Sequence, residues 1–160
     1  MHDEKNKKVI MAGLMCAIVA ITTMFAAVPI PGVKGAYANA GDAAVYATAF
    51  LLGWPWGVMV AAVGSALADI LLGSALYAPA TLVIKGLMAF IAAKLLRKGG
   101  MRIPKLLVSG IVMAVGYFAY ECIIYGASVA ALSVPANIVQ AVLGAVLGSI
   151  IIKGIETLQK

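Results

Sequence analysis

Apolar positions run along this chain in long blocks, and the polar ones collect at a few breaks between them. All six prolines (Pro29, Pro31, Pro55, Pro79, Pro104, Pro135) fall at or near such breaks, where a residue without an amide donor ends or starts a helix. The blocks predict six membrane helices, at 8–28, 39–54, 57–73, 79–97, 105–126 and 135–154. Most approach the roughly 20 residues that cross a bilayer at about 1.5 Å per residue. The second is short and its start is the least sharply marked. No internal repeat and no low-complexity tail interrupts the pattern, so residues 1–160 are expected to form a single membrane domain. The opening "MHDEKNKK" before an apolar run resembles a secretory signal, and "AYANA" offers small-x-small pairs. That run is too long for a signal core and the small pairs come well after it, so a retained first helix is expected.

Composition agrees with lipid as the solvent. The chain is 64% hydrophobic and 11% charged, where soluble domains carry about a quarter charged residues. The net charge of +6 could suggest nucleic acid, but the cations form no binding face. Lys5, Lys7 and Lys8 precede the first helix; Lys94, Arg97, Lys98, Arg102 and Lys105 flank "RKGGMRIP"; Lys153 and Lys160 follow the sixth. With six crossings all three clumps fall on one side, which the positive-inside rule makes cytoplasmic, as are both termini. Trp54 and Trp56 in "GWPWG" then belong to the cytoplasmic aromatic belt. Cys16 and Cys122 read as thiols inside helices, implying no metal site and no disulfide framework.

Against this background the charges inside the runs stand out. Asp69 lies about 6 Å, Lys85 about 9 Å, and Glu121 and Gln140 about 7.5 Å below the outer ends of their helices, from the helical rise. Four polar groups on four helices thus share one shallow layer, which random placement would not produce. Tyr117, Glu121 and Tyr125 form one stripe, Thr81 and Lys85 share a face, and so do Asn137 and Gln140. Ionisable groups in lipid are costly, so these faces should turn inward. Asp69 and Lys85 leave two readings, an ion pair stapling the third and fourth helices or a ligand contact. For Glu121 with its tyrosines and Gln140 a ligand-lining role is favoured, since no second basic residue in the layer neutralises it. Aromatic and amide groups beside a charge suit a small, flat, polar organic ligand. The lower half of every helix lacks ionisable residues until the cytoplasmic end, so the pocket should open to one side only.

The first outer loop, "VPIPGVKGAYANAGD", carries Lys34, Tyr37, Asn39 and Asp42 and reads either as a lid or as a solvated connector. Small residues recur at four-residue spacing in the first helix (Ala12, Cys16, Ala20, with Gly13 and Ala17 one step round). They recur in the sixth at Gly144 and Gly148, beside Ala141, Ala145 and Ser149. Such faces allow close helix approach, within the bundle or against another protein.

"NAGDAAVYATAFLLGWPWG" followed by "GSALADILLGSALYAPATLVIKGLMA" resembles the substrate-binding S component of energy-coupling factor (ECF) vitamin transporters. The likeness is to the group with riboflavin-type and hydroxymethylpyrimidine/pyridoxine-type members, and it covers nearly the whole chain. Gly41–Asp42, Ala66–Asp69 and Tyr77–Gly86 are its most specific pieces. The resemblance implies capture of a water-soluble vitamin from outside a bacterial or archaeal cell membrane. It implies partners as well, a transmembrane coupling protein and two cytoplasmic ATPases, with the subunit toppling in the membrane to deliver its substrate. It also implies substrate contacts from the first loop and helices four to six, which places Asn39, Asp42, Asp69, Tyr77, Thr81, Lys85, Tyr117, Glu121, Tyr125, Asn137 and Gln140 in the candidate site. The family's A-x-x-x-A docking motif maps onto Ala12, Cys16 and Ala20, or onto Gly13 and Ala17.

The alternative is a stand-alone secondary transporter acting as a homo-oligomer, which predicts an inverted repeat or midplane sites; neither is found. There is no P-loop, so the chain cannot energise transport alone. An enzyme is not expected: the sole histidine, His2, lies in the N-terminal tail, and no nucleophile–base or paired-carboxylate constellation exists. No cofactor is implied.

Overall fold

Helices form most of the computed structural model, which describes residues 2–159. Lys160, counted above with the last basic clump, lies outside the described residues. The order is α1 (His2–Phe25), β1 (Val28–Pro29), β2 (Tyr37–Ala38), α2 (Asp42–Leu52), α3 (Trp56–Leu71), α4 (Ala78–Leu96), α5 (Arg102–Tyr125), α6 (Ala127–Ala130) and α7 (Val134–Leu158). The six expected helices are present with ends shifted by one to six residues, and three differences stand out. α1 starts six residues earlier than residue 8, because no proline or glycine precedes Gly13 and Glu4 pairs with Lys7 one turn on (3.9 Å). α2 starts at Asp42 rather than 39, because residues 37–38 are drawn into a two-stranded antiparallel hairpin with Val28 opposite Ala38. A seventh helix, the single turn α6, bridges α5 and α7.

Four helices (α1, α4, α5, α7) are long and apolar enough to cross a membrane; α2, with 11 residues, and α3, with 16, are shorter. Pro79 and Pro135 sit in the first turns of α4 and α7, where the missing amide costs nothing.

The basic clumps gather at one end of the bundle. Arg102 at the start of α5 pairs with Glu156 at the end of α7. Glu4, Lys7 and Lys8 of α1 share a groove with Leu52 of α2 and Trp56 of α3. Lys105 Nζ donates to the carbonyls of Lys98 and Gly99, closing the basic loop. Trp54 lies edge-on to Phe90 at 5.3 Å, and Lys94 covers the same ring.

Close approach of helices rests on small residues. A Cβ on Gly144 would lie 2.7 Å from Asp42 Cβ, and one on Gly148 would lie 2.8 Å from the Tyr46 ring, so only glycine lets α2 seat against α7. Tyr46 is fully buried there and donates to the Leu106 carbonyl of α5 at 2.7 Å. The small face of α7 therefore serves the bundle's own packing. On α1 the two registers separate: Ala12 and Ala20 are buried and Cys16 is half-buried, with its carbonyl against Gly64 of α3, whereas Gly13 and Ala17 are exposed. The structure thus contradicts the Ala12–Cys16–Ala20 register as a surface open to a partner, because α2 and α3 already cover it.

Candidate functional site

At the end of the bundle opposite the basic clumps, the hairpin closes over a small buried polar cavity, about 20 Å³ to a water-sized sphere. The loop from α1 to α2 forms the roof and α1, α3, α4, α5 and α7 form the walls.

The floor is built around Asp42. Its Oδ1 is ion-paired with Lys85 of α4, and its Oδ2 accepts from Gln140 Nε2 of α7 at 3.0 Å. Gln140 Oε1 in turn accepts from the Asn39 amide at 2.9 Å, and the Asn39 side chain accepts from the Gly41 amide at 2.8 Å. A carboxylate, an ammonium and an amide therefore tie α2, α4, α7 and the roof together. Gly41 is required at this corner: a Cβ there would lie 2.2 Å from Thr23 Oγ1 and 2.9 Å from the Thr23 Cα.

This arrangement removes one of the two readings left open for Asp69 and Lys85. Lys85 pairs with Asp42, not with Asp69, so no ion pair staples α3 to α4 through those two residues. Asp69 instead accepts through Oδ1 from the hydroxyl of Tyr37 on β2, and so holds the roof. Burial, followed by the hydrogen bond and charge of Asp69, pushes the Tyr37 phenol above its ordinary pKa, which keeps it a donor.

The other wall carries Glu121, buried at 1% exposure. Tyr77 donates to its Oε1 at 3.2 Å and Ser133 to its Oε2; Asn137 Nδ2 lies 3.4 Å from Ser133 Oγ. No ion pair to Glu121 exists among the described residues. Thr81 and Tyr117 bond each other at 2.9 Å, and Lys85 Nζ lies 5.7 Å from the Tyr117 ring centre.

Of the residues singled out from the sequence, Asn39, Tyr77, Thr81, Lys85, Tyr117, Glu121, Asn137 and Gln140 line the cavity. Asp42 and Asp69 stand behind it and hold lining residues. Tyr125 is not a lining residue; its hydroxyl bonds the Lys34 carbonyl at 2.7 Å and so fastens the roof. The sequence reading missed Thr23 and Ser65, which also line the cavity, Ser133, which holds Glu121, and the part played by Tyr37. Ser65 had a signal, since it sits one turn from Asp69 on the same face; Ser133 had none. Cys16 and Cys122 are free thiols on α1 and α5.

A sequence model of the ECF-type riboflavin transporter S component matches residues 4–157. The chain is 38% identical over 134 residues to an uncharacterised protein of Pyrococcus woesei, covering 81% of this chain and 88% of that one. It is 29% identical over 155 residues to the thiamine precursor transporter HmpT of Lactococcus lactis subsp. cremoris, covering 96% and 91%. Its fold is similar to the solved S component of a bacterial ECF transporter, with a TM-score of 0.79 over 98% of this chain and 99% of that one, at 19% identity. The matching family and the solved structure are transporter S components rather than enzymes. With a family match across almost its whole length, apolar spanning helices and this fold, the chain belongs to the family of ECF transporter S components.

Proposed function

We propose that this protein is the substrate-specific subunit of an ECF importer, taking a water-soluble vitamin or vitamin precursor into the cavity beneath the hairpin. The observation that carries this reading is the cavity itself: eight lining residues with hydrogen-bonding side chains singled out beforehand, enclosed in an otherwise apolar bundle. Buried polar groups in a membrane protein are retained for function. Pyridoxine, hydroxymethylpyrimidine and riboflavin are the favoured substrates; the tyrosines and Glu121 suit a heteroaromatic ring, and one relative is a thiamine precursor transporter.

In this reading residues 1–160 are one domain that crosses a bacterial or archaeal cell membrane six times, with both termini and the basic end cytoplasmic. The cavity then faces the exterior. A transmembrane coupling protein and two cytoplasmic ATPases supply the energy, and the exposed Gly13–Ala17 face of α1 docks the coupling protein. The site residues are those described above, with Lys85, Glu121 and Gln140 at the ligand.

The test is to purify the protein in mild detergent, denature it and identify released small molecules by mass spectrometry. A vitamin or precursor at one equivalent is the expected result. Release of nothing, together with no binding of the three favoured compounds to the native protein, would overturn the proposal.

A further inference from the structure

Buried hydrogen-bonding atoms in a native fold nearly always have a partner, because stranding one is expensive. Among the described residues three buried side-chain atoms lack one: Thr48 Oγ1, Ser65 Oγ and Asp69 Oδ2. Thr48 does not line the cavity. Ser65 and Asp69 lie four residues apart on α3 and so share a face. Ser65 lines the cavity at 1% exposure, and Asp69, at 3%, holds the cavity's roof through its other oxygen. α3 thus presents a hydroxyl without a partner to the cavity and, one turn on and behind the lining, a carboxylate oxygen without one.

Charge narrows what can fill it. Lys85 is the one cation among the lining residues, and it is committed to Asp42. Asp69 and Glu121 have no ion pair among the described residues. A ligand bearing a phosphate would meet the Glu121 carboxylate, with that of Asp69 behind the wall, and a single cation already paired, whereas an amino, hydroxyl or protonated ring nitrogen would meet acceptors.

We propose that Ser65 and Asp69 form a specificity pair, in which the Ser65 hydroxyl receives a hydrogen bond from the ligand and the Asp69 carboxylate behind it sets the charge of that wall, so that the site takes an uncharged or cationic heterocycle bearing such a donor and rejects its phosphate ester. The inference rests on the ligand-binding reading above.

Wild type, Ser65→Ala, Asp69→Asn and Glu121→Gln would be titrated calorimetrically with riboflavin, hydroxymethylpyrimidine and pyridoxine, and with the phosphate ester of each. Ligand-free thermal midpoints would be measured alongside. Whichever compound binds the wild type is expected to bind about 100-fold more tightly than its ester, as like-charge contact demands. Ser65→Ala is expected to lose about 3- to 10-fold in affinity, the worth of one hydrogen bond. Its ligand-free midpoint should hold or rise, since the hydroxyl has no partner to lose. Asp69→Asn should narrow the discrimination against the ester about tenfold. The proposal is overturned if Ser65→Ala binds within about twofold of wild type, if its ligand-free midpoint falls, or if the ester binds as well as the parent. Loss of binding in Glu121→Gln with none in Ser65→Ala would remove the pair and leave the function standing; no binding of any compound to the wild type, together with no small molecule released on denaturation, would remove both.

Discussion

Lys85 of α4 is held against Asp42, the first residue of α2, and the second oxygen of that carboxylate is taken by Gln140. Both charges are almost fully buried, and each is the other's counter-ion. The pair also fixes where the ammonium stands relative to the Tyr117 ring and the cavity.

Removing one member should therefore harm the fold more than removing both. Asp42→Ala is expected to destabilise the detergent-solubilised protein by on the order of 3 kcal/mol, because it strands a buried ammonium. Asp42→Leu combined with Lys85→Met should recover much of that loss while leaving ligand binding impaired. Thermal midpoints of the single and double variants check this, and an Asp42→Ala protein as stable as wild type would contradict it.

Glu121 receives hydrogen bonds from Tyr77 and Ser133 and has no cation partner among the described residues. Glu121→Gln keeps the shape and removes the charge. Affinity for the co-purifying ligand should drop roughly 10- to 100-fold, the range for hydrogen bonds to a charged group, with membrane insertion unchanged. Equal affinity in the two proteins would place Glu121 outside the ligand's reach.

The roof is fastened by three bonds: Tyr37 to Asp69, Tyr125 to the Lys34 carbonyl and the Asn39 amide to Gln140. Tyr37→Phe removes one hydroxyl and little else. Ligand should leave about tenfold faster, in line with the loss of a bond to a carboxylate, with a smaller change in the association rate. A ligand-release time course checks this; an unchanged release rate would mean that the hairpin does not retain the ligand.

On α1, Gly13 and Ala17 face outward while Ala12 is buried against its neighbours. Gly13→Trp or Ala17→Trp is expected to abolish co-purification with a coupling protein and to spare ligand binding. Ala12→Trp should instead disturb the bundle itself and lower the thermal midpoint. If both outward variants co-purify normally, this face is not the docking surface.

The helices and the polar layer were legible because prolines and charges are rare enough in this chain to mark boundaries and depth. The partner of Lys85 was not, since Asp42 and Asp69 both lie near the cavity and the choice depends on how α2 and α3 are rotated about their axes. A soluble helix reveals its rotation through a polar face, but lipid is as apolar as the bundle interior, so that signal is lost. The same loss left the two registers of α1 undivided, although one residue turns a helix by about 100°. Ser65 and Thr23 were passed over because a lone hydroxyl in an apolar run looks like one more small packing residue. The hairpin is held by two-residue strands, too brief to leave a periodicity.

The shortness of α2 has a consequence of its own. Eleven residues rise about 16 Å, roughly half of a bilayer's hydrocarbon thickness. The space a full-length helix would occupy is taken instead by the hairpin and the chamber beneath it. Irregular backbone at that depth is tolerated only where protein or a polar interior surrounds it, a condition the hydrogen bonds to Asp69, Gln140 and Tyr125 supply. The polar chamber is, in effect, the missing upper half of a helix, and a chain in which α2 continued upward for two more turns would be a bundle without it.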